Sequence, residues 1–217
     1  MDFLEHMLRE VVKKTVGEFK VPFGDYVLDF EQPFARMSMY NAVKNTGNFT
    51  DAQFEPHTID QIIAKYAIEL ANKQASYGEK IFALFDHLVE KTLIQPTFIT
   101  DYPVEVSPLA KRDAHNPLVT ARFELFIAGM ECANGYNELN DPFDQAERFK
   151  QQMLAREHGD VEAQPYDAEY VLALEYGLPP TTGVGVGIDR LTMLLANTTS
   201  IKEVILFPTL KRKQEGE

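Results

Sequence analysis

One segment of the sequence, ECANGYNELND over residues 131–141, carries an amide, a phenol and a carboxylate at alternate positions. Alternation by two places Asn134, Tyr136 and Glu138 on one face of a β-strand. Partly buried acids on a strand that faces a cleft would suit a cationic substrate group, because an unpaired buried carboxylate is costly. The same spacing also fits the exposed polar face of an antiparallel sheet.

Two glutamates flank the turn that precedes this strand. The segment RFELFI predicts a strand with Phe123, Leu125 and Ile127 on one side and Glu124 and Phe126 on the other, and Ala128-Gly129 supplies a turn into the next strand. We therefore expect Glu124 and Glu131 to lie across from one another on adjacent strands, where like charges repel unless a cation lies between them. Magnesium, with a bound nucleotide, would suit such a pair, since it prefers carboxylate and phosphate oxygens.

A glycine-rich stretch, TGVGVGIDR, could bind the rest of a nucleotide. Gly183, Gly185 and Gly187 alternate along a predicted strand, so one face of it would have no side chains and could accept a flat ring. A helix is expected to begin near Asp189, which places the Arg190 guanidinium where phosphate oxygens bind well. The spacing differs from a dinucleotide fingerprint, and close packing of a helix is an alternative reason for any single glycine.

The elements that must position these residues are a mixture of helices and strands. The first segment predicts an apolar-striped helix ending at Gly17, followed by a hairpin that turns at Gly24-Asp25. The spacing of Thr58 and Gln61 predicts a capping box at the start of a middle helix. A second middle helix, YGEKIFALFDHLVEKTL, precedes a strand, PTFITDYP.

Composition narrows the class of protein. The 217 residues, 45% hydrophobic and 25% charged, predict one globular domain. The single cysteine, Cys132, excludes a disulfide framework, and no targeting or membrane-spanning segment is evident, so we expect a cytoplasmic protein with no membrane partner. The net charge of −12 opposes strong binding of nucleic acid by this chain alone.

Several motifs together carry a family resemblance. The stretch TGVGVGIDRLTMLL resembles the third signature motif of class II aminoacyl-tRNA synthetases. Four further stretches, SPLAKR, RFELFIAGMECANGYNELNDPFDQ, ALEYGLPP and IKEVILFP, resemble the lysine-specific members of that family. The resemblance implies an α+β fold with an antiparallel sheet of six to seven strands flanked by helices. It also implies ATP bound on that sheet with lysine beside it.

The resemblance also assigns roles to individual residues. Arg190 matches the motif arginine that contacts the γ-phosphate of ATP, and Glu124 and Glu131 match glutamates that hold Mg²⁺. The implied ATP-binding residues are Glu124, Glu131, Asn134, Gly185, Gly187 and Arg190, of which Arg190 is catalytic. The implied lysine-binding residues are Asn134, Tyr136, Glu138 and Gly183. The acidic NGYNELND stretch favours lysine over the aspartate and asparagine of related enzymes.

The sequence departs from the family in extent. The first and second signature motifs and the N-terminal anticodon-binding OB domain are absent, so residues 1–217 are expected to be the C-terminal portion of the catalytic domain. The implied activity is that of a lysine–tRNA ligase, homodimeric when full length, with weak tRNA(Lys) binding and almost no activity for this chain alone. The alternatives are a non-catalytic paralogue that acts as a ligand-binding or interaction module, and a ligase of the same fold that uses a different amino acid or lysylates a protein rather than tRNA.

Overall fold

The structure is a computed structural model that describes residues 1–161 and 163–208. The expected domain over 1–217 therefore includes Glu162 and residues 209–217, which lie outside the described residues. The elements, in chain order, are α1 (Asp2–Val16), β1 (Lys20–Phe23), β2 (Tyr26–Asp29), β3 (Ala35–Ser38), α2 (Met39–Gly47), α3 (Ile59–Lys65), α4 (Tyr77–Leu88), β4 (Thr97–Thr100), β5 (Arg122–Ile127), β6 (Met130–Asn137), α5 (Pro142–Glu157), α6 (Ala168–Glu175), β7 (Thr182–Val186) and α7 (Ile188–Leu195).

The main sheet has the order β3-β4-β5-β6-β7. Its β3–β4 pair is parallel and the other three pairs are antiparallel, while β1 and β2 form a separate hairpin. The α+β fold with an antiparallel sheet flanked by helices is thus confirmed. The six to seven strands expected for the sheet are not reached among the described residues, where the main sheet has five.

One face of the sheet packs on α1, the β1–β2 hairpin and α7. The α1 stripe contributes Leu4, Leu8 and Val12 to this core, and the helix ends at Gly17 in a left-handed conformation with φ 90°. The same core receives Phe98 and Leu125 from the sheet. The predicted apolar stripe is therefore confirmed at its centre, although Phe3, near the start of the helix, is exposed.

The other face is covered by α2, α3 and α4 over only part of its width. Phe126 of β5 joins the core of these helices, and its ring lies 5.4 Å from that of Phe85 in α4. Farther along the same face, toward β7, Tyr136 is half-buried and Gly185 is exposed. The helices therefore bury the β3–β5 side of this face and leave the β6–β7 side open.

The middle helices begin differently from the sequence prediction. The expected capping box of Thr58 and Gln61 is wrong: the Thr58 hydroxyl lies within hydrogen-bond distance of the carbonyl oxygens of Ala52, Gln53 and Glu55, to any one of which it can donate, and it caps no N–H of α3. The preceding turn uses this hydroxyl, and α3 ends at Lys65. A capping box instead begins α4, where Ser76 and Glu79 bond each other's backbone N–H groups.

Candidate active site

The open face carries two rows of residues that run across three strands. One row joins Glu124 of β5, Asn134 of β6 and Gly185 of β7, which are successive partners in the strand register. The next row joins Arg122, Tyr136 and Gly183 in the same way. The predicted face of alternating polar residues is confirmed, and the strand glycines lie beside it on the same side of the sheet.

Glu131 reaches this face because of a β-bulge. Three positions separate it from Asn134, so a regular strand would place the two on opposite faces. The register shifts between Leu125 and Phe126, which leaves Cys132 without a partner in β5 and pairs Glu131 with Phe126. The prediction that Glu131 lies directly across from Glu124 is therefore wrong, since Asn134 occupies that position.

Glu124 lies in a buried pocket of hydrogen-bond donors. Its Oε1 accepts from Arg122 Nη2 at 2.5 Å, and its Oε2 accepts from the Tyr102 hydroxyl at 2.7 Å. Burial raises the pKa of the Glu124 carboxyl, Arg122 and Tyr102 oppose that rise, and nearby Glu131 adds to it. The two glutamates therefore interact electrostatically even though they are not paired in the register.

Arg190 lies in the first turn of α7 and contacts Glu131. Its Nη1 donates to the Glu131 backbone oxygen at 2.5 Å and to Oε2 of the same residue at 3.4 Å. The helix start is fixed by the Gly187 N–H, which donates to the Cys132 carbonyl at 2.9 Å. Arg190 and Glu131 side chains stay 48% and 40% exposed, so the pair faces open solvent.

Two adjoining cavities connect these groups. Glu124, Glu131 and Arg190 line one cavity of about 350 Å³. A second cavity of about 260 Å³ is lined by β6, β7 and the start of α7. Its lining includes Glu131, Asn134, Gly185, Gly187 and Arg190. The structure thus brings together all six residues that the sequence assigned to ATP.

The residues assigned to lysine meet at the other end of β6. Tyr136 pairs with Gly183, and a Cβ on Gly183 would lie 2.6 Å from Glu138 Oε1, so the carboxylate occupies the space that the glycine leaves. Burial raises the pKa of the Glu138 carboxyl. Burial and the nearby Glu138 charge raise the pKa of the Tyr136 phenol. A carboxylate and a phenol at a partly dry position are suited to an ammonium group.

Three side chains of the site escaped the sequence prediction. Arg122 and Tyr102 bond Glu124, and Tyr170 of α6 lies near enough to Glu138 and Tyr136 that their charges, after burial, raise its pKa. The alternation of β5 could have identified Arg122, which precedes Glu124 by two positions. Tyr102 follows β4 in a loop and Tyr170 lies on a helix, so spacing gives no signal for either.

The acidic groups do not form a self-contained metal site. No cluster of three or more His, Cys, Asp or Glu side chains suited to a metal ion occurs within residues 1–161 and 163–208. Two carboxylates that line one cavity fit Mg²⁺ only when other oxygens complete its coordination, because Mg²⁺ prefers six oxygen ligands and is usually bound with substrate phosphates. The residues present therefore fit a metal ion that arrives with a nucleotide.

Comparison with known proteins identifies the family. The family described as tRNA synthetases class II (D, K and N) matches residues 1–211. The lysine–tRNA ligase of Ectopseudomonas mendocina is 49% identical over 212 residues, which are 97% of this chain and 42% of that protein. That of Nitrosomonas europaea is 48% identical over 214 residues, with 98% of this chain and 43% of that protein covered.

The chain belongs to the class II tRNA synthetase family. It spans about two fifths of the length of the curated relatives it matches, 42% and 43% in the two named above. Among the helices of the described residues, none has the length and apolar character needed to cross a membrane.

Proposed function

We propose that this chain supplies the lysine pocket and the metal-binding side of the ATP site in a lysine–tRNA ligase. The observation that carries the proposal is the single open face on which an acceptor pair for an ammonium group, Tyr136 and Glu138, continues through Asn134 to the Glu124, Glu131 and Arg190 cavity. The relatives named lysine–tRNA ligase support the choice of amino acid.

In this proposal, Glu138 and Tyr136 receive the side-chain ammonium of lysine. An ammonium is a compact charge with three donors and no acceptor, so a carboxylate with a phenol oxygen satisfies it. Gly183 keeps the space that the Glu138 carboxylate occupies. Asn134, midway along the face, contacts both the amino acid and the nucleotide.

The nucleotide lies on the glycines and extends toward α7. Gly185 and Gly187 let a flat ring or phosphate approach the backbone, and Arg190 binds the γ-phosphate. Glu124 and Glu131 would hold Mg²⁺, which neutralises negative charge on the phosphates when it is bound. An oxygen of the lysine carboxylate then attacks the α-phosphorus and forms an O–P bond. The bond between the α-phosphorus and the oxygen that bridges to the β-phosphorus breaks, and pyrophosphate leaves with that oxygen. Positioning and charge stabilisation account for this reaction without a protein nucleophile.

The wider activity belongs to the proposal as well. In the second reaction a ribose hydroxyl of the terminal adenosine of tRNA(Lys) attacks the lysyl carbonyl carbon of the adenylate, an ester forms and AMP leaves. The full-length enzyme would carry out both reactions in the cytoplasm as a homodimer. The net charge of −12 supports only weak tRNA binding by this chain itself. Lysine-dependent exchange of pyrophosphate into ATP measures how much of the first reaction the isolated chain performs, and we expect almost none.

Calorimetric binding tests the pocket directly. The probes are the sulfamoyl analogues of lysyl-, aspartyl- and asparaginyl-adenylate, titrated with Mg²⁺ into the chain and into its Glu138→Gln variant. We expect selective lysyl binding that weakens at least tenfold in the variant, because a charge-assisted hydrogen bond is lost. Equal binding of the three analogues, or lysyl binding that Glu138→Gln leaves unchanged, would show that the assignment of lysine to this pocket is wrong.

A further inference from the structure

Arg122 bonds two neighbouring residues of the open face, Asn134 and Glu124. Its Nε donates to Asn134 Oδ1 at 3.1 Å, and its Nη2 donates to Glu124 Oε1 at 2.5 Å. Its Nη1 donates at 2.9 Å to both the Val106 carbonyl and the Ser107 hydroxyl, which belong to the loop after β4. All three nitrogens of the guanidinium therefore donate hydrogen bonds: one to β6, one to the loop after β4, and one to Glu124 of β5.

The aromatic ring of Tyr102 completes the environment of this guanidinium. The Arg122 Cζ lies 4.6 Å from the ring centroid, within the range of a cation–π contact. The hydroxyl of the same tyrosine donates to the second oxygen of Glu124. Arg122 side-chain exposure is 17%, so the planar group has little freedom to leave this geometry.

The chemistry of the guanidinium fixes which way Asn134 faces. A guanidinium has only donors, so the atom of Asn134 that meets it must be the carbonyl oxygen. The NH₂ group is then turned away from Arg122, and it has no hydrogen-bond acceptor among the residues that the structure describes. Asn134 consequently presents donors to whatever binds the open face.

The same guanidinium fixes Glu124. With Arg122 on Oε1 and Tyr102 on Oε2, the plane of the carboxylate is set from two directions. Each carboxylate oxygen can accept more than one bond, so this arrangement orients Glu124 and still leaves it able to take a further partner. A lysine at position 122 could not reproduce it, because an ammonium lacks the planar fork.

We propose that Arg122 is a positioning residue that orients Asn134 and Glu124 together, so that the amino-acid side and the phosphate side of the site form as one unit. What these two residues bind rests on the proposed function. Their joint orientation by one guanidinium rests only on the contacts within the chain.

Double-mutant cycles test whether Arg122 acts through its two partners. The probe is the sulfamoyl analogue of lysyl-adenylate with Mg²⁺, titrated into the 217-residue chain and into Arg122→Gln, Asn134→Ala and the double variant. We expect Arg122→Gln to weaken binding about tenfold in the wild-type background and less than about threefold in the Asn134→Ala background. The cycle with Glu124→Gln should show the same non-additivity. Equal losses in every background would mean a general structural role and would overturn the proposal.

Two further variants separate positioning from folding. Arg122→Lys keeps a charge without the fork and should bind the probe nearly as weakly as Arg122→Gln; it also replaces the latter in the cycles if Arg122→Gln does not fold. Ser107→Ala removes one loop contact of Arg122 but neither of its contacts to Asn134 and Glu124, so its affinity should stay within about twofold of wild type. If Arg122→Lys bound the probe as tightly as the wild-type chain does, the proposal would be overturned.

A measurement without ligand keeps the two proposals separate. The side-chain amide signal of Asn134, identified in ¹H–¹⁵N spectra by its loss in Asn134→Ala, should shift or broaden in Arg122→Gln and stay in place in Ser107→Ala. If the wild-type chain binds no analogue, the proposed function fails for this chain while the amide signal still decides the role of Arg122. An Asn134 signal that Arg122→Gln leaves unchanged would overturn the positioning role.

Discussion

Glu124 and Glu131 lie on the same face of neighbouring strands, but their surroundings differ. Glu124 is 11% exposed in its side chain, and its two oxygens accept one hydrogen bond each, from Arg122 and from Tyr102. Glu131 is 40% exposed in its side chain and has a single, longer ion pair with Arg190. The same residue type is thus held rigidly at one position and loosely at the other.

This difference shows how the site is divided. The buried end has its geometry fixed before any ligand arrives, which lowers the cost of binding. The open end, with Arg190 exposed at the start of α7, keeps its charges in water, where they attract each other weakly. Phosphates or a cation would therefore reorganise the Glu131 end more than the Glu124 end.

Truncating the two glutamates should separate these environments most clearly. Glu124→Ala leaves the Arg122 charge and the buried Tyr102 hydroxyl without their acceptor, and we expect a loss of about 3 kcal/mol in the free energy of unfolding. The raised pKa of Glu124 indicates that burial already costs this carboxylate something, which keeps the loss near the low end for a buried pair. Urea denaturation of the ligand-free chain measures it.

Glu131→Ala is the matched control for that measurement. Because its ion pair with Arg190 is exposed, we expect a loss below about 1 kcal/mol. Similar losses for the two alanine variants would remove the distinction between a rigid end and an open end.

Two glycines allow the face to be altered one position at a time. A Cβ at Gly183 would lie 2.6 Å from Glu138 Oε1, so Gly183→Ala should displace this flexible carboxylate and lower the affinity for the lysyl-adenylate analogue about tenfold. At Gly185 the nearest atom, the Asn134 backbone oxygen, is 3.9 Å away, so the protein has room for the methyl group.

The ligands distinguish the two glycine variants in calorimetric titrations. Gly185→Ala should fold normally and weaken binding of a non-hydrolysable ATP analogue with Mg²⁺, while Gly183→Ala should leave that affinity within about twofold. If both variants lowered the affinity for both ligands equally, the glycines would not mark separate ends of the face.

Much of this face was predictable because strand alternation is strict over short distances. Asn134 and Tyr136 are two residues apart in β6, and their side chains share a face wherever the strand is regular. Glycines at 183 and 185 follow the same rule in β7. These positions needed only the period of a strand, which the sequence contains.

The remaining features depend on tertiary contacts that no local pattern contains. The bulge at Cys132 places Glu131 on the open face, and no pattern in the segment MECAN predicts this bulge. Tyr102 reaches Glu124 from a loop twenty-two residues earlier in the chain. The residue type and spacing of Thr58 are typical of a helix cap, but its hydroxyl bonds a carbonyl oxygen of the preceding turn instead. Long-range competition for hydrogen bonds decides such cases.

The pH dependence of binding examines the lysine end. Burial raises the pKa of Glu138, so its carboxylate becomes protonated at a pH above the ordinary glutamate value of 4.5. Affinity for the lysyl-adenylate analogue should therefore fall as the pH is lowered through that raised pKa. Glu138→Gln should bind more weakly at neutral pH and lose this dependence. Calorimetry across the pH range measures both.

Folding should respond to Glu138 with the opposite sign. A carboxyl with a raised folded pKa favours the folded state when it is protonated, so its contribution to stability is present at low pH and is lost as the pH rises through the folded pKa. Urea midpoints of wild type and Glu138→Gln should therefore approach each other at low pH. If the difference between the two urea midpoints were the same at every pH, burial of Glu138 would not contribute to the pH dependence of stability.

The smallest expected effect on stability lies at Arg190. Its guanidinium is about half exposed and bonds the backbone and side chain of one residue, Glu131, so Arg190→Gln should change the free energy of unfolding by less than about 0.5 kcal/mol. The same change should weaken binding of the ATP analogue, and the difference from wild type should shrink as the salt concentration rises, because exposed charges are screened. Arg122→Gln provides the contrast, since its buried contacts should keep their effect in high salt. If Arg190→Gln destabilised the chain as much as Glu124→Ala, the start of α7 would be a rigid part of the site before any ligand binds.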